Sequence, residues 1–228
     1  MTLLIAHAGC EGTANGSMES LYAAVNSGAD AIEVDLRLSN NKIIYAHDIS
    51  EVIYDDFIKF DRILDFLAGS GPLIACDIKT EETFLPALET IVQRNMDERV
   101  IFSGKVPVRH RHTGRYRYCI NVECVCNIED GQLLTERNIR SLIRYYNQHR
   151  SENLAGFNVN YHWITPKIVR QFQEAGINLW VWTVDDPEAV QWLLACEVSG
   201  ITTNKIVTAI ALAANNPKKT NGNLMFDQ

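Results

Sequence analysis

LLIAHAGCEGTANGSMESLYAAVNSGADAIEVDLRL, residues 3–38, decides the fold. The opening LLIAHA (3–8) is an almost unbroken apolar run of strand length. SMESLYAAVNSGA carries apolar residues at helical spacing and stops on a glycine, and AIEVDLRL (31–38) is a second apolar run with charges set into it. Strand, helix and strand within so short a stretch make a β–α–β unit, whose two strands run parallel with a right-handed crossover. Outward from it the alternation continues. A polar turn, SNNK (39–42), leads into a short strand, IIYAHD, and DRILDFLAGSG is helical with a glycine stop. LIACDIK (73–79) is a strand, FLPALETIVQRN a helix, and RVIFSG (99–104) a strand. A basic, poorly patterned segment precedes CINVEC (119–124), and residues 136–150 are helical. GFNVN, a helix from Pro166 to Gly176, LWVWTV (179–184), a helix from Pro187 to Cys196, GITT and an apolar helix over 205–214 complete the series.

Eight strand-then-helix units, with one extra strand beside the second, predict an α/β fold of one closed (β/α)8 TIM barrel over residues 1–214. A doubly wound open sheet would leave the eighth unit without a place. Residues 215–228 read as a polar, frayed tail. With 228 residues against the ~250 typical of such barrels, the loops must be short. The formal net charge of -7 speaks against nucleic acid as a partner but leaves an anionic small molecule open, since one bound cation reverses the local field. No run approaches the ~20 apolar residues of a membrane span, so no stable membrane insertion is expected. The start MTLLIAHAG lacks the basic residues and long apolar core of a secretory leader. The scattered cysteines, Cys10, Cys76, Cys119, Cys124, Cys126 and Cys196, read as reduced thiols, and the expected location is cytoplasmic.

Charged residues in buried parallel strands are costly unless paired or bound to a metal. Here they gather at the C-terminal ends of successive strands, the end of a barrel that carries chemistry. His7 ends the first strand, Glu33 and Asp35 lie on the second, His47 and Asp48 end the extra strand, Asp77 and Lys79 end the third, and Glu123 ends the fifth. Strand periodicity turns Glu33 and Asp35 to the same side, where two like charges need a cation between them or a proton on one. With Asp77 they form a hard-oxygen site suited to one divalent cation, Mg²⁺ or Ca²⁺, with Mn²⁺ and Zn²⁺ standing second. A lone Glu-x-Asp is ordinary at an exposed strand edge; it is the agreement of all these strand-end positions that points to a site.

Residues 7–48, HAGCEGTANGSMESLYAAVNSGADAIEVDLRLSNNKIIYAHD, resemble the signature of glycerophosphodiester phosphodiesterases. His7 and Gly9 match its His-Arg-Gly; Gly28-Ala29-Asp30, Glu33, Asp35 and His47-Asp48 match its Gly-Ala-Asp, Glu-x-Asp and closing His-Asp. CDIK (76–79) is similar to the family's Glu-Ile-Lys strand, AGINLWVWTVDDPEAVQWLL (175–194) to its Trp-Thr-Val stretch, and GITTN (200–204) to its closing Gly-Ile-x-Thr-Asp. The resemblance implies a metal-dependent hydrolase that splits a glycerophosphodiester-like substrate into a phosphomonoester and an alcohol. Glu33, Asp35 and Asp77 would hold the cation, and His7 and His47 would act as general acid and base. Lys79 would neutralise phosphate oxygens, and Trp182 would line the alcohol side of the pocket. Apart from the resemblance, the strand-end position of Glu123 makes it a further candidate to join the metal shell or hydrogen-bond substrate.

Several positions depart from the family pattern. Ala8 stands where the family has arginine, and Ala14-Asn15-Gly16-Ser17 replaces Pro-Glu-Asn-Thr. Asp77 is a shorter arm than glutamate, Asn204 replaces an aspartate, and the stretch from His47 to Asp77 leaves little room for a cap over the site. These changes touch phosphate anchoring and substrate cover. They keep a lysophospholipid or sugar phosphodiester in view as substrate, and also sphingomyelinase D-like cleavage to a cyclic phosphate or a barrel that binds phosphodiesters without turnover. The basic RHRHTGRYRY (109–118) reads as a solvated helix or loop, with Arg109, Arg111 or Arg115 as stand-ins for the arginine missing at position 8. Cys124 and Cys126 read as small core residues on one face of a strand.

Overall fold

The computed structural model describes residues 1–48, 57–69, 71–110, 115–129, 131–150 and 153–215. The elements run in the order β1 (Leu3–Ala6), α1 (Met18–Ser27), β2 (Ala31–Ser39), β3 (Lys42–Tyr45), α2 (Phe60–Leu67), β4 (Leu73–Ile78), α3 (Glu81–Gln93), β5 (Val100–Gly104) and β6 (Arg117–Asn121). Then follow α4 (Glu136–His149), β7 (Leu154–Asn160), α5 (Pro166–Glu174), β8 (Leu179–Trp182), α6 (Pro187–Ala195), β9 (Gly200–Thr203) and α7 (Ile206–Ala214). Eight strands pair in parallel in the order β1-β9-β8-β7-β6-β5-β4-β2, and β1 pairs β2 to close the barrel. β3 pairs antiparallel with the outer end of β2. Their two-residue connection, Asn40-Asn41, has positive φ at both positions, the turn whose twist matches a hairpin.

Local chemistry sets the helix ends. Ser17 caps α1 by accepting from the Ser20 amide, and Gly28 closes it in the left-handed conformation. Thr165 and Asp186 cap α5 and α6, each followed by a proline at the first helical position. The crossover from β5 to β6 differs from the expected pattern: its described part is a single 3-10 turn at Val108–His110, so seven α-helices, not eight, accompany the barrel among the described residues. Basic residues without an apolar stripe offer the strands no face to pack on.

The larger core lies between strands and helices, and a smaller one fills the barrel. Inside, Ile5, Ala31, Ile101, Cys119 and Trp180 are buried together against Leu3, Leu73, Ala75 and Ala155. The indole of Trp180 spans this floor because its neighbours are small. A Cβ on Gly200 would stand 2.5 Å from the Trp180 ring. Gly104 is as tightly constrained at the other end: with φ +75, its Cβ would fall 2.2 Å from Asp77 Oδ1 and 2.5 Å from the Ile78 carbonyl. Gly104→Ala is therefore expected to lower Tm by at least about 3 °C and to weaken divalent-cation binding by displacing Asp77. Thermal unfolding and calorimetric titration check both, and an unchanged protein would contradict this packing.

Candidate active site

Parallel register brings the carboxylates together. Asp35 on β2 pairs directly with Asp77 on β4, and Glu33 lies two residues earlier on the same face as Asp35. One oxygen from each of Glu33, Asp35 and Asp77 lies within 4.8 Å of the others. Lys79 enters this cluster from the end of β4, its Nζ 2.5 Å from Asp77 Oδ2 and 2.8 Å from Asp35 Oδ1. Asn15 donates to Asp35 Oδ2 at 3.4 Å, and the Ser103 hydroxyl to Asp77 Oδ1 at 3.4 Å. Asp35 is 1% exposed, and the Lys79 ammonium meets its Oδ1.

Three carboxylates against one ammonium leave two formal negative charges in a low-dielectric site. Burial, and then the charges of Asp35 and Asp77, push the Glu33 carboxyl well above its usual range, with Lys79 opposing. Burial pulls Lys79 downward, but Asp77 and Asp35 outweigh it and hold the ammonium protonated. Three carboxylates of hard oxygen donors, only partly neutralised by one ammonium, fit a divalent cation of the Mg²⁺ or Ca²⁺ type. The linkage has a definite sign. Glu33 favours its proton in the folded state, so folding is penalised as pH rises above the unfolded value of about 4.5 toward the raised native one. In chelator at pH 8, Glu33→Gln should therefore melt above wild type, the gap should vanish at low pH, and saturating cation should close it. A gap independent of pH and cation in thermal melts would contradict the assignment.

The histidines reach the same cavity by different routes. His7 follows β1, its amide bonded to the Thr203 carbonyl of β9. Its Nδ1 lies 2.8 Å from Asn204 Oδ1. Asn204 cannot turn its amide, because its Nδ2 donates to Asp185 Oδ2 at 2.9 Å while its backbone N–H and the Thr203 hydroxyl donate to Asp185 Oδ1. Burial works to raise the Asp185 pKa, but the hydrogen bonds from Asn204 and Thr203 outweigh it and keep the carboxylate ionised. The chain of donors fixes one tautomer: Asp185 only accepts, Asn204 Oδ1 must accept, and neutral His7 carries its proton on Nδ1. His47, just past β3, is held by its backbone, whose carbonyl accepts from Arg37 Nε at 2.9 Å and Nη2 at 2.7 Å. Its Nδ1 lies 3.1 Å from Asp48 Oδ2.

A cavity of about 330 Å³ opens between these groups. His7, Glu33, His47, Asp77 and Lys79 line it on the β1–β4 side, and Asn121, Asn158 and Trp182 on the β6–β8 side. Trp180, Ile101 and Ile5 form its floor. Trp182 is braced edge-on by Trp163 at 6.3 Å. His7, Glu33, His47, Asp77, Lys79, Glu123 and Trp182 thus meet at one mouth, with Asp35 lying beneath the lining. Two placements need correction. Glu123 is not a strand end but belongs to a 3-10 turn, Val122–Cys124, after β6; it remains exposed at the cavity rim. Cys124 and Cys126 share no strand, and Cys124 is exposed. Neither Arg109 nor Arg115 lines the cavity, and Arg111 falls outside the described residues. Sequence reasoning missed Asn121, Asn158 and Asp185 altogether, because neutral amides and a helix-start aspartate carry no motif of their own.

The sequence profile of the glycerophosphoryl diester phosphodiesterase family matches residues 77–208, more than half of the chain. The chain belongs to that family. This phosphodiesterase has the fold of solved enzymes at low identity. A phosphodiesterase from Oleispira antarctica in complex with the product sn-glycerol-3-phosphate superposes with a TM-score of 0.75 at 14% identity, covering 94% of this chain and 98% of that one. A glycerophosphodiester phosphodiesterase from Agrobacterium tumefaciens gives 0.71 at 16%, covering 94% and 100%, and one from Parabacteroides distasonis 0.70 at 17%, covering 93% and 97%. No curated protein sequence matches the chain significantly. The matched profile begins at Asp77, so the placement of His7, Glu33, Asp35 and His47 beside Asp77 and Lys79 rests on the barrel geometry. Among the described residues no helix is long and apolar enough to cross a membrane.

If Asp185 fixes Asn204 and through it His7, Asp185→Ala should lower kcat by about 10²-fold while leaving cation binding in place. Nitrogen NMR of the imidazole should find the neutral ring protonated at Nδ1 in wild type and mixed in the variant. A wild-type ring protonated at Nε2 would contradict the relay.

Proposed function

We propose that this phosphodiesterase hydrolyses glycerophosphodiester-like substrates by general acid–base catalysis between His7 and His47, with one divalent cation, Mg²⁺ or Ca²⁺, held by Glu33, Asp35 and Asp77. The observation that carries the reading is the meeting of the carboxylate cluster, Lys79 and both imidazoles around one cavity. The cation, when bound, neutralises phosphate oxygens and lowers the cost of charge developing there. Lys79 adds a second positive charge on the same side, its ammonium already oriented by Asp35 and Asp77. His7, its Nδ1 proton committed to Asn204, presents Nε2 as the base that takes a proton from the attacking water. As the new phosphorus–oxygen bond forms, the bond to the alcohol oxygen breaks, and His47, paired with Asp48, returns a proton to that oxygen. The products are a phosphomonoester and an alcohol, and the two imidazoles end with exchanged protonation. Trp182 gives the alcohol an apolar face, and Glu123 stands at the rim where it can meet a polar or cationic group.

The test is hydrolysis of bis(p-nitrophenyl) phosphate and of glycerophosphodiesters, in chelator and after restoring Mg²⁺, Ca²⁺ or Mn²⁺. Turnover should require the cation. His7→Ala and His47→Ala should each cut kcat by at least about 10²-fold and still bind the ion in calorimetry, whereas Asp35→Ala should lose both. Undiminished turnover in chelator, or full activity in either histidine variant, would overturn the assignment.

A further inference from the structure

The outer wall of the barrel is divided by charge. Residues 105–174, from the end of β5 through α5, carry eleven Lys and Arg against six Asp and Glu, a formal +5 inside a chain whose total is -7. The remaining residues, with ten against twenty-two, hold -12. Because β5, β6 and β7 are neighbours in the sheet, the basic stretch forms one continuous sector of the wall. Its centre is α4. Arg137, Arg140 and Arg144 follow one another at spacings of three and four residues, so they share one face over about 10 Å of helix, and all three are exposed. None of the three makes an ion pair or a hydrogen bond among the described residues. The one acidic residue of α4, Glu136, accepts from the Gln171 amide of α5, and α5 adds the exposed Lys167 and Arg170. A helix that is merely solvated interleaves both signs, because like charges three and four residues apart repel. On α4 that repulsion is left unrelieved. Two exposed apolar side chains accompany the cations. Leu133, 48% exposed, stands just before the Thr135 cap at the mouth end of α4, next to the bond from the Leu134 amide to the Trp163 carbonyl. Val108, 58% exposed, precedes Arg109 in the β5–β6 crossover.

We propose that this sector is a docking surface for an anionic lipid bilayer, with Arg137, Arg140 and Arg144 meeting lipid phosphates and Leu133 entering the headgroup layer. Guanidinium groups pair bidentately with phosphate, and each cation held at an anionic lipid surface strengthens binding by about fivefold. A planar layer of headgroups meets the basic sector alone. A long nucleic acid would run past it onto the acidic remainder of the chain. Nor does α4 offer a base a free ring to stack on, since Tyr145 stacks on His149 and Tyr146 packs near Phe157. Leu133 gains nothing from a purely electrostatic contact, whereas the headgroup layer buries it. Because α4 starts at the mouth end of the wall, docking by this face brings the cavity to the edge of the lipid surface.

The experiment sediments the full chain with vesicles of phosphatidylcholine alone and of phosphatidylcholine mixed with phosphatidylserine. Wild type should bind the anionic vesicles at least about 10-fold more tightly than the neutral ones at about 0.1 M salt, and should lose that preference at about 1 M. Arg140→Gln with Arg144→Gln should weaken binding to the anionic vesicles by at least about 10-fold. Lys42→Gln with Arg62→Gln removes the same charge from exposed positions outside the sector and should change binding by less than about twofold. None of these four residues lines the cavity, and thermal melts verify that each double variant is folded. No preference for the anionic vesicles, an equal loss in the two double variants, or capture of a single-stranded oligonucleotide in place of vesicles would each overturn the proposal. Vesicle binding is read without turnover, so such a result leaves the phosphodiesterase reading to its own test.

Discussion

Everything at the mouth of this barrel follows from the repulsion among three carboxylates that parallel pairing forces side by side. Asp35 and Asp77 are register partners on adjacent strands, and neither can turn away without breaking the ladder that closes the barrel. Glu33 shares their face and is pushed toward its protonated form. The chain supplies only part of the countercharge, through Lys79, which is shared between Asp35 and Asp77. A site that is short of positive charge and rich in fixed oxygen donors suits a small divalent cation. Packing maintains the arrangement: Gly104 lets the β5 backbone pass against Asp77 where any side chain would collide.

The two histidines are held in unlike ways, and the difference bears on their roles. His7 ends a closed relay in which Asp185 orients an amide and the amide orients the imidazole. His47 depends on its backbone, pinned by the two nitrogens of Arg37, and on a carboxylate neighbour in the adjacent residue. The relay accounts for Asn204 at a position where the family pattern has aspartate. An amide there transmits the orientation set by Asp185 without placing a second negative charge against the ring. Ala8, buried, contributes no charge to the cavity, and among the described residues Lys79 is the one lysine or arginine that lines it.

The barrel and the charged half of its site were legible in the sequence because both rest on periodicity. Strand and helix alternation survives in any apolar pattern, and Glu33-Val-Asp35 declares its shared face through the two-residue repeat of a strand. The crossover between β5 and β6 was not legible as a helix, since its basic sequence carries no apolar residues at helical spacing. The turn at Val122–Cys124 was read as strand because Val, Glu and Cys are compatible with either state, and only the end of the β6–β7 pairing at Asn121 decides between them. Asn121 and Asn158 became visible only when the register set them side by side, some 37 residues apart in sequence. Asp185 is likewise silent in sequence, beside Asp186, which caps α6 as an N-terminal aspartate should.

The central claim is that Glu33, Asp35 and Asp77 together hold one divalent cation, and anomalous diffraction from crystals equilibrated with Mn²⁺ tests it most directly. The account expects a single strong peak bounded by carboxylate oxygens from all three residues, with Lys79 turned from Asp35 toward the cavity. A folded protein showing no peak there, or an ion bound elsewhere while Lys79 keeps both of its ion pairs, would contradict it.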